Sequence, residues 1–283
     1  MPAPANSTVL HSTGKASFDD IYDRPDPRAY YARMSELDYR IPELAKPHFE
    51  QLIADHRAAT GIATPTVLDI GCSYGVNAAL LRLDMGMTEL AARYRDPSIA
   101  AADLVTADRS LLTEHDLLPG VRFLGMDASS PALDYARAAG FLHATVHADL
   151  ESAEPTEAQR RTLATADLVI STGCVGYVTE RTLLRVARAH GGKLPWMAHF
   201  VLRMFSFEPI AAHLAALGYR TERAPGAFKQ RRFASPEEQA QVCGALEANG
   251  IDTLGYEAEG WLYAQLYLSR PSPNLSIDHE DTH

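Results

Sequence analysis

From residue 66 onward, short and almost wholly apolar runs alternate with segments whose apolar residues recur every three or four positions. The runs are "TVLDI" (66–70), "RFLGMD" (122–127), "ATVHADL" (144–150), "ADLVIST" (166–172) and "HFVLRMF" (199–205), each with the length of a buried strand. Between and after them lie "NAALLRLDM", "TELAARYR", "SPALDYARAAG", "EAQRRTLA", "ERTLLRVARAH" and "FEPIAAHLAALG", all of helical spacing. In "SPALDYARAAG", Ser130 is expected as the cap and Pro131 at the first helical position. Strands separated by helices pair in parallel, so the pattern predicts a doubly wound α/β sheet. Farther on, "YRTERA" (219–224), a helix in "SPEEQAQVCGALEANG" and a last apolar run, "GWLYAQLYLSR" (260–270), predict an antiparallel pair at one sheet edge.

The ends of the chain have another texture. Residues 1–16 are rich in Ser, Pro, Ala and Thr and are expected to be disordered, as is the polar tail 271–283. Residues 17–60 are expected to form an N-terminal helical lid. Their apolar positions keep helical spacing but are interrupted at Pro42 and Pro47, which predicts two or three short helices. "FKQRRF" (228–233) reads as a solvated loop, and Trp196 and Trp261 read as packing residues.

Composition acts mainly by exclusion. The 283 residues are 46% hydrophobic and 22% charged, the balance of a globular chain with one large domain. With 26 basic and 36 acidic side chains the formal net charge is −10, which disfavours a nucleic-acid partner. Cys72, Cys174 and Cys243 lie far apart, with no CxxC or Cys/His spacing, so neither a disulfide framework nor a metal site is expected. The first residues lack a basic start before an apolar core, and no run reaches the roughly 18 apolar residues of a membrane helix. A cytoplasmic, soluble chain with no membrane partner is the expectation; a homodimer stays open.

Candidate chemistry gathers in "VLDIGCSYGVNAALL" (67–81). Ligands of open α/β sheets bind beyond the carboxyl ends of the strands. Asp69 would stand at such an end, with Gly71 and Gly75 in the turn, where glycine permits positive φ and lets a ligand approach the backbone. The spacing is GxxxG, so neither the dinucleotide GxGxxG nor a Walker loop is present. Asp127 ends the second strand and could grip the two hydroxyls of a ribose, because a carboxylate accepts several hydrogen bonds. Asp149, after the third strand, could accept from an exocyclic amine, with Leu150 beside it as an apolar contact.

These three features, in this order and approximate spacing over residues 60–205, resemble the class I S-adenosylmethionine-dependent methyltransferase family of small-molecule type. The resemblance implies a Rossmann-like, seven-stranded sheet, mostly parallel with an antiparallel last strand, over residues 61–270. It implies that Asp69, Gly71, Cys72 and Gly75 line the methionine part of the cofactor, that Asp127 holds the ribose, and that Asp149 and Leu150 flank the adenine. Ser171 and Thr172 would complete the cofactor site, while Gly173 and Cys174, with Tyr22, Tyr30 and Tyr31 of the lid, would meet the substrate. The stretch 84–118 is longer than the family norm and is expected to carry an inserted helix over the site.

The fourth strand runs into "STGCVGYVTE", beside which such enzymes place the acceptor. Many small-molecule members carry a His or Glu there; the equivalent positions in this chain are Gly176 and Tyr177. A phenol of ordinary pKa near ~10 is a poor base at neutral pH, so Tyr177 is expected to orient the acceptor and not to deprotonate it. Thioethers, neutral amines and carboxylates need no proton removed before attack, whereas an alcohol usually does. The expected activity is methylation of such a heteroatom on a metabolite or natural-product intermediate. The rival in another class is a non-catalytic protein that binds the same cofactor, and a nicotinamide-dependent oxidoreductase is disfavoured by the missing GxGxxG.

Overall fold

The computed structural model describes residues 19–272. The lid expected at its start consists of α1 (Asp19–Tyr22) and α2 (Arg28–Glu36), followed by α3 (Ile41–Thr60). α3 is a single helix of 20 residues that runs through Pro47 and ends at Gly61 in the left-handed region, φ 73°. Pro47 removes one helical hydrogen bond at a cost of about 3 kcal/mol. Phe49, Leu52 and Ile53 are each buried, and at about 1.5–3 kcal/mol apiece they outweigh that loss. α3 is therefore a layer of the core, and only residues 19–40 lie beyond it.

β1 (Thr66–Ile70) enters the glycine turn and α4 (Val76–Leu83), then α5 (Met87–Ala92) and α6 (Ala101–His115). The α/β alternation continues through β2 (Arg122–Asp127), α7 (Ser130–Ala138), β3 (Ala144–His147), α8 (Glu157–Leu163), β4 (Leu168–Thr172), α9 (Glu180–Arg188), β5 (Trp196–Leu202) and α10 (Glu208–Ala216). The last elements are β6 (Tyr219–Arg223), β7 (Phe228–Arg232), α11 (Pro236–Ala248) and β8 (Trp261–Pro271). α7 is capped by Ser129, whose Oγ accepts from the N–H of Ala132 at 3.3 Å, one residue before the expected cap.

The strand order is β3-β2-β1-β4-β5-β8-β6, with β7 also paired to β8. β1 pairs in parallel with β2 and β4, and β4 in parallel with β5. β8 runs antiparallel to β5, β6 and β7. The sheet is thus doubly wound and mostly parallel, with an antiparallel last strand. It has eight strands in seven lanes, because "APGA" divides the outermost lane: β6 pairs with the end of β8 and β7 with its beginning. The segment read as a solvated loop is β7. Its three cations misled that reading, since Arg231 is buried and paired with Glu238.

Alternate residues of the central strands feed two cores. Leu68, Ile70 and Val169 pack towards α8, α9 and α10; Val67, Leu168 and Ile170 pack towards α3, α4 and α7. Asp69 lies between Leu68 and Ile70, on the face of Val67, near the carboxyl end of β1. Among the described residues no helix is long and apolar enough to cross a membrane.

Candidate active site

The strand order reverses between β1 and β4, and the carboxyl ends of β1, β2 and β4 meet there. A cleft of about 220 Å³ opens at this point, lined by Gly71, Asp127, Asp149, Leu150, Cys174 and Tyr177 among others. Six positions expected at the site are thereby brought together from four separate loops.

The glycine turn is held in a strained shape. Gly71 sits at φ 69° and donates its N–H to the Met126 carbonyl at 2.8 Å; a Cβ on it would stand 2.8 Å from Cys174 Cβ. Ser73, a residue with a Cβ, takes φ 50° and is buried. Its N–H donates to Asp127 Oδ2 at 2.8 Å, while Asp127 Oδ1 accepts from the Ser129 N–H at 2.9 Å. One carboxylate thus joins the turn after β1 to the start of α7. Burial raises its pKa, and those backbone donors pull the other way. Ser73 Oγ is buried with no hydrogen-bond partner among the described residues.

Asp69 is fully buried. Both of its oxygens accept from Asn77 Nδ2 at 3.1 Å, and the same amide reaches Thr172 Oγ1 at 3.1 Å. Burial pushes the Asp69 carboxyl up to about 8, with the charge of Asp127 adding to it and Asn77 opposing. Asp149 is exposed; its oxygens accept from the Glu151 N–H and the Ser152 hydroxyl, which hold its pKa below the usual range. Leu150 is buried at the cleft wall.

Four expected contacts turn elsewhere. Cys72 is buried with its thiol against Gly125, and burial raises its pKa well above the thiol norm. Gly75, at φ 74°, serves packing: a Cβ there would sit 3.2 Å from Ala136 and Phe141. Ser171 Oγ pairs with His199 Nδ1 at 2.8 Å inside the core. Tyr31 stacks on Tyr94 at 4.8 Å, in a cluster where Tyr94 and Tyr135 both donate to Asp108. Side chains alternate across a strand, so Ser171 points into the core while Thr172 beside it reaches Asn77.

The N-terminal segment does close over the turn. Tyr74 donates its hydroxyl towards the carbonyls of Ile21, Tyr22 and Arg24 at 3.0–3.2 Å, and Ser129 Oγ donates to the Tyr22 carbonyl at 2.7 Å. The Tyr22 ring lies 5.7 Å from that of Tyr30, and its phenol feels the charges of Asp127 and Tyr39. Residues 37–40 pair along β7: Arg40 N–H donates to the Gln230 carbonyl and Arg232 N–H to that of Leu37, each at 2.7 Å. This docking brings the Tyr39 hydroxyl to the Thr172 carbonyl at 3.5 Å. Burial raises the pKa of Tyr22, Tyr30 and Tyr39 far above the phenol norm, so none of them is a base near neutral pH.

Ser73, Tyr74 and Asn77 beside the turn, and Gln230 against the loop after β4, are contacts that the sequence reading passed over. Asn77 carried a signal, as a polar residue within an otherwise apolar first turn of α4; Gln230 carried none, being masked by the cations around it.

Fold and cleft define a Rossmann-like doubly wound α/β protein with its site at the topological switch point. No family model matches the chain, and no curated protein matches it. Solved structures do. A TehB-like SAM-dependent methyltransferase from Corynebacterium glutamicum is similar at 16% identity, covering 80% of this chain and 96% of that one, with a TM-score of 0.37. The plantazolicin methyltransferase in complex with SAH is similar at 12% identity, covering 77% and 80%, with a TM-score of 0.38. A SAM-dependent methyltransferase from Geobacter sulfurreducens in complex with S-adenosyl-L-homocysteine is similar at 14% identity, covering 79% and 91%, with a TM-score of 0.36.

Proposed function

We propose that this chain is an S-adenosylmethionine-dependent methyltransferase that acts on a heteroatom of a small metabolite or natural-product intermediate. The observation that carries the reading is the Asp127 clamp. A carboxylate at the end of β2 fixes the glycine turn through Ser73, borders the cleft, and keeps a second lone pair on each oxygen for a ribose hydroxyl.

The residues present fit the cofactor. Ser73 Oγ is a buried hydroxyl still in want of a partner, and Gly71 leaves the backbone bare against the cleft. Asp69, with Asn77 behind it, would face the amino group of the methionine part, and Leu150 would pack on the adenine with Asp149 at its edge. The bound cofactor supplies a methyl group on a sulfonium, so the chemistry needs an oriented nucleophile and a dry site.

Tyr22 and Tyr39 exclude water from the turn, and Tyr177, 38% exposed on the cleft wall, orients the acceptor. With their pKa values shifted upward by burial, Tyr22, Tyr30 and Tyr39 do not take a proton at neutral pH. An acceptor that is already nucleophilic, a thioether, an amine or a carboxylate, suits this site better than a hydroxyl.

Titration calorimetry with S-adenosylhomocysteine and with NAD tests the reading. Binding of the former at micromolar affinity or better and none of the latter is the expected result; the reverse preference overturns it. Transfer of label from methyl-labelled S-adenosylmethionine to a small-molecule product then separates the enzyme from a protein that only binds.

A further inference from the structure

Gln230 has no part in the assignment above. β7 pairs with β8, but the register shifts between Lys229 and Arg231, which makes Gln230 the extra residue of a β-bulge. Bulges re-aim side chains, and they cluster beside active sites. An unbroken strand would send Gln230 and Arg231 to opposite faces; here both are buried. The Gln230 amide is thrust against the loop after β4, so close that a Cβ on Gly173, which stands at φ 78°, would overlap Nε2. Gln230 is 4% exposed, and its Oε1 has no hydrogen-bond partner among the described residues. The same residue's carbonyl holds Arg40, and through it the neighbouring Tyr39, over Thr172.

A buried carbonyl oxygen can only accept a hydrogen bond, so what meets it must bring a donor. Of the three acceptors that need no base, a thioether has no N–H or O–H. A carboxylate has none either. Its natural counter-ion would be Arg231, the cation felt by both Tyr22 and Tyr39. That guanidinium is engaged on both prongs with Glu238, at 2.9 and 2.7 Å. A primary or secondary amine brings the donor.

We propose that Gln230 Oε1 is the acceptor-recognition group and that the methyl acceptor is a neutral amine donating an N–H to it. The inference rests on the methyltransferase reading. In the transfer, the nitrogen lone pair forms the N–C bond as the C–S pair returns to sulfur, leaving a neutral thioether and a methylated ammonium. A proton then leaves that ammonium to water. The bond to Gln230 strengthens as positive charge grows on nitrogen, so it assists the transition state more than the ground state.

The test uses S-adenosylmethionine carrying a CD3 group, incubated with the chain and a metabolite extract of its organism, with the methylated atom read by mass spectrometry. The expected product carries CD3 on nitrogen. Gln230→Met should lower kcat/KM for it at least tenfold while leaving S-adenosylhomocysteine affinity within twofold, the sign that the variant is folded. Gln230→Glu, which keeps an acceptor oxygen, should retain more activity than Gln230→Met. CD3 on sulfur or on a carboxylate oxygen, or an unchanged rate in a Gln230→Met protein that binds normally, overturns the proposal. Failure of the wild type to bind S-adenosylhomocysteine would instead count against the methyltransferase reading itself.

Discussion

The hydroxyl of Tyr74, inside the glycine turn, donates to the carbonyl of Tyr22 in the covering segment, 3.2 Å away. The glycine turn and its cover are therefore mechanically one unit. Tyr74→Phe removes a side-chain donor shared by three backbone carbonyls, at an expected cost of about 1–3 kcal/mol. Hydrogen exchange should accelerate in residues 21–28 and not in α3. Unchanged exchange would mean that Ser129 Oγ alone holds the segment.

Asp127→Ala should weaken S-adenosylhomocysteine binding by about 1.5–3 kcal/mol, the scale of lost charge-assisted hydrogen bonds. The Ser73 and Ser129 amides lose their acceptor as well, so thermal stability should drop with affinity. Calorimetry on a folded variant with wild-type affinity would remove Asp127 from the site.

On the proposed reading, Asp69 should make cofactor binding depend on pH. With its carboxyl pushed up to about 8, the free protein holds a proton there at pH 7. A bound ammonium group favours the carboxylate and lowers that pKa, so binding releases the proton. Affinity should then rise as pH climbs towards about 8 and level off above it, by up to tenfold per unit. Calorimetry at pH 7 in buffers of different ionisation enthalpy should report close to one proton released. Asp69→Asn should bind weakly with no such release, and a flat profile in the wild type would exclude the assignment.

His199 sets a separate acid limit on the fold. Burial depresses its pKa from 6.5 to about 3, with Nδ1 on Ser171 and Nε2 buried without a partner among the described residues. The unfolded chain takes up this proton first as pH falls, so stability is full above 6.5 and is lost towards 3. The loss is up to about 1.4 kcal/mol per unit. Urea unfolding of wild type and His199→Asn between pH 4 and 7 should show a flatter slope in the variant. Parallel slopes would rule out His199 as the titrating group.

Tyr177→Phe should reduce kcat/KM modestly, about tenfold at most, because a single neutral hydrogen bond contributes about 0.5–1.5 kcal/mol. A loss of a hundredfold that also removes the basic limb of the pH profile would make Tyr177 a base and point back to a hydroxyl acceptor.

Much of this was legible along the chain because strand ends are marked by composition. The apolar runs of β1, β2 and β4 fixed the sheet lanes, and Asp69, Gly71 and Asp127 followed from their ends. What was hidden depends on facing. Ser171 and Thr172 are adjacent, yet only Thr172 meets the site; Tyr30 and Tyr31 are adjacent, yet Tyr31 belongs to the Asp108 cluster. Pro47 and the cations of β7 misled for one reason: tertiary burial outweighed a local preference that the sequence displays openly.

The division of the outermost lane also bears on self-association. An unbroken edge offers a row of bare N–H and C=O groups to a second copy of the chain. β6 is five residues long with Arg220, Glu222 and Arg223 exposed, and β7 is occupied along its outer side by residues 37–40. The opposite border, β3, is four residues long. Among the described residues both borders are thus short, and the β6–β7 border is also charged and partly covered, the features that discourage strand addition by a second copy.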